Sequence, residues 1–355
     1  MEHFDDIAIP ISWPDKTARG DEKWMAFLKR IGIVKNLNFR VGHAAILLVE
    51  RSTGNIRYFD FGRYLVPRGY GRPRSAHFDP RLVVHTRALF SASGEIENLA
   101  AIFEELSANE EATHGGGRTL FSICQGISFA KGQAYAERLV SEGPVLYGAF
   151  AQNNNSCSRF VAQILTEAMP IKDPRRKKIL YPESLKASPT SNVVNAAADY
   201  KVCFHQQQAI QTVPMDRIAS MRFQFDLLKD NFSRTGSKSL AADDIAGMVQ
   251  YSERPIAVPA HAQWIGGIGE GAWFSLEHLE GRIYLIQKHD AHGRLLYSRE
   301  MECLQDFSIC NAYAFTYHFT FDSHSISQKG QLFLFRTLAA DKQTTNLQQA
   351  SKAIS

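Results

Sequence analysis

Asn153-Asn154-Asn155-Ser156-Cys157-Ser158-Arg159-Phe160-Val161 is the stretch on which the fold of this chain turns. Beyond Cys157, apolar residues recur at Phe160, Val161, Ile164, Leu165 and Ala168, the spacing of one helix face, and Pro170 ends the run. Asn155 or Ser156 suits an N-cap, which places Cys157 in the first turn of a helix with a buried inner face. Unpaired backbone N–H groups and the dipole at that end favour a thiolate over a thiol. Cys157 is therefore a candidate nucleophile; the alternative is a small apolar residue on the buried face.

Upstream, segment 41–49 (VGHAAILLV) is apolar on both faces and reads as a buried strand, with His43 its only polar side chain. Such a histidine is either a core residue bonded to backbone or the partner of a distant group. A nucleophilic cysteine needs an imidazole to take its proton and later protonate a leaving group. A third polar group must orient that imidazole and fix its tautomer. Ser52-Thr53-Gly54-Asn55 forms a hairpin turn, and 56–62 (IRYFDFG) is the return strand, where Asp60 is the nearest candidate in sequence. The hairpin register decides which face Asp60 uses, and in the favourable register it is still expected several residues along from His43. Glu50, Tyr64 and Asp79 are the other candidates for this third place.

Outward from this pair, 7–13 reads as a strand and 22–31 as a helix, with Trp24, Met25, Leu28 and Ile31 at helical spacing. Residues 62–75 form a loop rich in glycine and arginine. Its Arg63, Arg68, Arg72 and Arg74, with Arg159, either line a cleft for an anionic substrate or are solvated. Arg63, Arg159, Asn155 and Ser156 are the expected substrate-binding residues. A strand at 82–89, a helix at 95–106, a strand at 119–124 and a helix at 127–140 follow. The stretch 173–199, rich in Pro, Ser, Lys and Asn, reads as a connection. Beyond it the pattern changes to a helical part at 241–251 and then strands at 283–287, 295–299, 313–321 and 332–336. The expected organisation is a catalytic domain at 1–172, the connection at 173–199, a mostly β accessory domain at 200–340 and a disordered polar tail at 341–355. The fold class is α+β.

The segments GHAAILLV and YFDFGRY, followed later by NNSCSRFV at a helix start, resemble the circularly permuted NlpC-type branch of the papain-like fold. That branch includes lecithin:retinol acyltransferase-like proteins and bacterial relatives. The resemblance spans 7–169 and implies a bacterial, permuted papain-like domain with an antiparallel sheet packed on helices. It also implies Cys157 as nucleophile and His43 as general base. In that branch the third polar residue commonly lies on the strand after the histidine, where no His or Glu stands clearly in register here.

Composition narrows the classes. A hydrophobic content of 45% and a charged content of 21% are ordinary for a soluble globular protein. The net charge of +4 is small, and Arg175-Arg176-Lys177-Lys178, the only compact basic run, reads as a solvated loop, so no nucleic acid is expected. No apolar run is long enough for a membrane span. Five cysteines, odd in number and widely spaced, together with an N-terminus that lacks a signal pattern, imply a cytoplasmic protein with reduced thiols. Gly266 to Gly271 lacks the Lys-Ser/Thr of a phosphate loop and reads as a turn. His289 and His292 flank a hairpin without helical spacing and imply no metal. The leading function is a cysteine peptidase or amidase, without cofactor, acting on a peptide-like or acyl substrate through a thioester on Cys157. An acyltransferase or lipid esterase using the same pair is the second reading, which an amphipathic membrane-surface element would favour; none is read from the sequence. A non-catalytic binding protein on the same fold is the third. The sequence assigns no oligomeric state.

Overall fold

The computed structural model describes residues 3–20, 23–148, 154–206, 209–244, 247–250 and 253–338. Asn153 and the tail 341–355 lie outside the described residues. The chain divides into two units, Met1–Val249 with Gly266–Glu270, and Gln250–Ile265 with Gly271–Ser355.

The first unit opens with β1 (Asp6–Trp13), the short β2 (Ala18–Arg19), α1 (Lys23–Arg30), β3 (Asn38–Phe39), β4 (His43–Val49), β5 (Ile56–Gly62) and β6 (Tyr70–Arg74). It continues through α2 (Leu99–Ala108), α3 (Glu110–Thr113), β7 (Thr119–Phe121), β8 (Cys124–Ile127), α4 (Phe129–Glu142), β9 (Val145–Leu146) and α5 (Cys157–Ala168). It closes with α6 (Pro174–Leu180), α7 (Pro189–Ala196), β10 (Lys201–Gln206), β11 (Ala209–Pro214) and α8 (Arg217–Phe232). The main sheet runs β11-β10-β7-β1-β4-β5-β6-β9, with β8 also pairing β1. Both faces of β4 are covered, which is why it carries almost no polar residue. Ala44, Ile46 and Leu48 pack with Phe160, Ile164 and Leu165 of α5. Ala45, Leu47 and Val49 pack with Ile102, Phe103 and Leu106 of α2. The central helix and the central strand are thus one core, and the class is α+β.

Several expectations are corrected. Residues 62–75 are not all loop: β6 pairs β5, Asp60 opposite Arg74 and Gly62 opposite Arg72, so both arginines are drawn inside. Residues 82–89 form no strand. Pro80 and the Asp79 side chain, which accepts from Arg81 N, set a 3-10 turn. The N–H groups of His85 and Thr86 donate to the Glu105 carboxylate instead of a ladder. The stretch 173–199 is no mere connection. It forms α6 and α7, and every residue of α7 is buried. A capping box between Ser188 and Ser191 starts α7, and its Val193 and Val194 pack with Leu120 and Val202. Residue 200 is no domain boundary either, because β10 pairs β7, Cys203 opposite Phe121, and continues the first sheet. The helix of this region is α8, not 241–251, whose described residues are irregular.

The second unit is a seven-stranded antiparallel sheet of β12 (Gln263–Gly266), β13 (Gly271–Glu280), β14 (Ile283–His289), β15 (Leu295–Cys303), β16 (Tyr313–Phe319), β17 (Ser323–Gln328) and β18 (Gln331–Thr337). Its order is β12-β13-β14-β15-β18-β17-β16. The Gln263 side chain bonds Tyr313 O and Phe315 N, which ties β12 to β16 and curls the sheet towards closure. The glycine-rich 266–271 is the β12–β13 turn, with Gly267 N donating to Glu270 O. No helix of the described residues is long and apolar enough to cross a membrane. Among the described residues no group of three His, Cys, Asp or Glu is placed to hold a metal.

If α7 is integral to the first unit, Val194→Asp buries a charge in its core. Urea denaturation should then show a loss above about 4 kcal/mol. At a solvated connection the loss would stay within about 0.5 kcal/mol.

Candidate active site

Ser156 caps α5 with extended backbone, its Oγ accepting from Arg159 N at 3.3 Å, so Cys157 is the first helical residue. Asn155 is buried against the helix through Gln163 Oε1 at 3.0 Å, and Asn192 of α7 donates to Ser158 O at 2.7 Å. Packing from below and hydrogen bonds from both sides hold this helix start in place.

His43 begins β4. Its ring adjoins the Cys157 thiol, each group shifting the proton affinity of the other, and Cys157 Sγ lies 3.8 Å from Ser158 Oγ. The β4–β5 register sets Asp60 opposite Ala45, two residues from His43 and on the same face. Asp60 is therefore a diagonal neighbour of His43 rather than several residues away. His43 Nε2 lies 3.4 Å from Asp60 Oδ2 and 3.1 Å from Tyr64 Oη. Tyr64 Oη in turn donates to Asp60 Oδ2 at 3.3 Å. With Nε2 so engaged, Nδ1 is the nitrogen available to Cys157. Trp13, directly across the ladder, stacks on the imidazole at 5.5 Å and 11°.

Asp60 is wholly buried, and Arg74 pairs with it in two bonds, Nε to Oδ1 at 2.9 Å and Nη2 to Oδ2 at 2.6 Å. Tyr58 Oη donates to Asp60 Oδ2 as well, at 2.9 Å. The Arg74 guanidinium also lies 3.3 Å from the Tyr64 ring centroid. On the outer side of Tyr64, His114 stacks at 4.8 Å with its Nε2 buried and without a hydrogen-bond partner. Gly115 follows because a Cβ there would come within 2.5 Å of the Trp13 ring.

These contacts fix the charge states. Burial works against the Asp60 carboxylate, but the Arg74 and His43 charges hold its pKa far below the usual carboxylate range. Burial likewise opposes the imidazolium, yet the bonds to Asp60 and Cys157 raise His43 to about 9. Burial would raise Cys157, and the His43 bond and charge bring it below its ordinary value. Each partner thus favours the charged form of the other, an imidazolium beside a thiolate. His114 is lowered to about 4 by burial and the Arg74 charge and stays neutral. Cys124 is pushed by burial to about 12, and Cys203 and Cys303 also rise.

The other expected residues fall into two groups. Asn155 and Arg159 line a cleft of about 430 Å³ beside the start of α5, with Phe61, Tyr135, Leu139 and Gln163 among its walls. Cys157 and His43 are not part of that lining. Ser156 serves as the cap. Arg63 lies over the Tyr147 ring at 4.4 Å and donates to Arg19 O. Glu50 bonds Thr53 and Asn55 within its own turn, and Asp79 pairs with Arg81, so neither reaches His43. Arg74 was expected only as a cleft-lining or solvated arginine, not as the partner of Asp60, and Tyr58 was not foreseen as a site residue. The signal open to the sequence was the period of two in Tyr58-x-Asp60 and Arg72-x-Arg74, which puts each pair on one face.

The first unit therefore places Cys157 beside His43, with a buried carboxylate behind the imidazole. Compared with known families, residues 8–173 match the sequence model of the Type VI secretion system effector TseH-like proteins. Residues 262–338 match the DUF6695 C-terminal domain. The solved crystal structure of the Type VI secretion system effector TseH is similar at 17% identity with a TM-score of 0.41, covering 59% of this chain and 98% of that one. No curated protein matches the chain.

Asp60→Asn leaves the Arg74 guanidinium buried without its counter-ion, which should cost about 3–5 kcal/mol in chemical denaturation. Arg74→Met in the same chain should recover part of that loss, because no lone charge remains. The Asp60 pKa is depressed, so its stabilisation is present above about pH 4 and is lost as the pH falls further. The wild type should therefore lose stability in acid more steeply than the double variant.

Proposed function

We propose that the first unit is a thiol hydrolase of the circularly permuted papain-like type, cleaving an amide or peptide bond through a thioester on Cys157. The observation that carries this reading is the thiolate-favouring contact between Cys157, at a helix start, and His43, whose proton is held by Asp60 and Tyr64. The chain order, strand histidine before helix cysteine, supports the permuted type.

In this reading the Cys157 thiolate attacks the substrate carbonyl carbon, and the developing oxyanion forms near the free N–H groups at the start of α5. His43 gives its proton to the departing amine as the C–N bond breaks, leaving a thioester and a neutral imidazole. A water then attacks the thioester while His43 takes its proton. Cys157 leaves as thiolate, the acid product departs, and the imidazolium is restored. Asp60 and Tyr64 keep Nε2 engaged, so the ring turns Nδ1 towards sulfur throughout. The match of residues 8–173 to TseH-like proteins supports an effector role for this hydrolysis.

Low-dose iodoacetamide at neutral pH should label Cys157 before Cys124, Cys203, Cys303 and Cys310. His43→Ala should move the pH profile of Cys157 alkylation upward by at least about one unit, since the thiolate then loses the support of the imidazolium. Superimposable profiles would sink the paired mechanism. Hydrolysis of a cleaved amide substrate should decline as the pH rises through about 9, where His43 loses the proton it must donate.

A further inference from the structure

Leu65 follows Tyr64 in the chain, and its backbone is left-handed, with φ at 43°. A residue with a bulky side chain avoids that conformation, because Cβ crowds the following carbonyl, so its surroundings must hold it there. Two contacts do. Arg72 Nη2 donates to Leu65 O at 2.9 Å. Gly267 lies so close that a Cβ on it would stand 3.2 Å from both Leu65 N and Leu65 Cα. Residues Gly266–Glu270 belong to the first unit, although the chain on either side of them belongs to the second.

Glycine at 267 is thus a requirement of space. Its turn has little freedom to back away, because Gly267 N donates to Glu270 O and Val249 N donates to Gly267 O, each at 2.7 Å. Gly269 in the same turn has open space where a Cβ would stand. On the other side of Leu65, the Tyr64 ring is confined by its neighbours. A Cβ on Gly62 would lie 2.4 Å from it, Arg74 lies over its face, and His114 stacks on it. These contacts fix the plane of the ring, while the backbone at Tyr64 and Leu65 fixes how far the hydroxyl reaches within that plane. The reach matters, because the hydroxyl lies 3.1 Å from His43 Nε2 and 3.3 Å from Asp60 Oδ2. A shift of about half an ångström would carry both beyond hydrogen-bond length. Burial first, then the charges of Asp60, Cys157 and Glu270, raise the Tyr64 pKa, which sets the Glu270 carboxylate within electrostatic reach of the same hydroxyl.

We propose that Gly267 is a positioning residue for the Cys157–His43 pair: its turn holds Leu65 in the left-handed backbone, and Leu65 sets the Tyr64 hydroxyl against His43 and Asp60. This rests on the mechanism proposed above, in which the His43 imidazolium supports the Cys157 thiolate. It gives the glycine-rich stretch, which lacks the Lys-Ser/Thr of a phosphate loop, a part in the site.

The test is the pH profile of Cys157 alkylation in the full chain. Tyr64→Phe should move it upward by about 0.5 unit or more, the effect of one lost hydrogen bond on the imidazolium. Gly267→Ala should move it the same way, and Gly267→Val as far as Tyr64→Phe. Gly269→Ala should leave it in place. Gly267→Val added to Tyr64→Phe should move the profile no further, since both act through one hydroxyl. A merely structural glycine would lower the urea midpoint and leave the profile unmoved. If the Gly267 variants do not fold, Val249→Pro takes their place, because it removes the N–H that holds Gly267 O and should give the same shift. A wild-type profile in Tyr64→Phe, or in the Gly267 variants or their replacement, overturns the inference, as does a shift that adds in full to that of Tyr64→Phe. His43→Ala separates the two levels: if it alone moves the profile, only the positioning role falls, and if it does not, the mechanism falls as well.

Discussion

The Asp60–Arg74 ion pair is the constraint on which the site depends. A carboxylate with no solvent contact would ordinarily take up a proton, since burial penalises the charged form. The two-bond guanidinium and the Tyr58 hydroxyl keep it ionised. That fixed negative charge is what allows a half-buried imidazole to hold its proton to about pH 9. The lowered pKa of Cys157 follows from the imidazolium, so the thiolate traces back to an arginine two strands away.

The surrounding aromatic residues make this arrangement effective. Trp13 covers one face of the His43 ring, Tyr64 meets its edge, and His114 closes the far side of Tyr64. With water largely kept away, the interactions among Asp60, His43 and Cys157 are stronger than the same contacts at a surface. Tyr64 also links the two members of the network directly, accepting from the His43 imidazolium and donating to Asp60. Its hydroxyl stays protonated because burial and the Asp60 charge both oppose a phenolate.

Positioning comes from the wider unit. Phe160, Ile164 and Leu165 lock α5 onto β4 and β5, which fixes the height of Cys157 above the strand that bears His43. Helix α7 reaches the same place from the other side through Asn192. Residues 174–214, although outside the span of the TseH-like match, thus complete the first unit and support the site.

Much of this was legible in the sequence. The capped helix at Cys157, the two-faced apolar strand at His43 and the hairpin to Asp60 follow from local periodicity and turn chemistry, which act over a few residues. Cys157 and His43 stood out because each is a polar or reactive residue in an otherwise apolar setting. Tertiary structure alone decided the rest. The placement of Asp60 beside His43 depends on strand register, where one residue of slip moves a side chain to the other face. The burial of Arg74 depends on β6 pairing with β5 inside a segment whose composition reads as loop. The packing of α6 and α7 depends on partners in β7 and β10 that no local pattern names. The exposure of Trp24 and Phe27 is of the same kind, since helical spacing marks an apolar face but does not say whether another element covers it. Periodicity is a property of neighbours along the chain, whereas burial and charge state are set by neighbours in space.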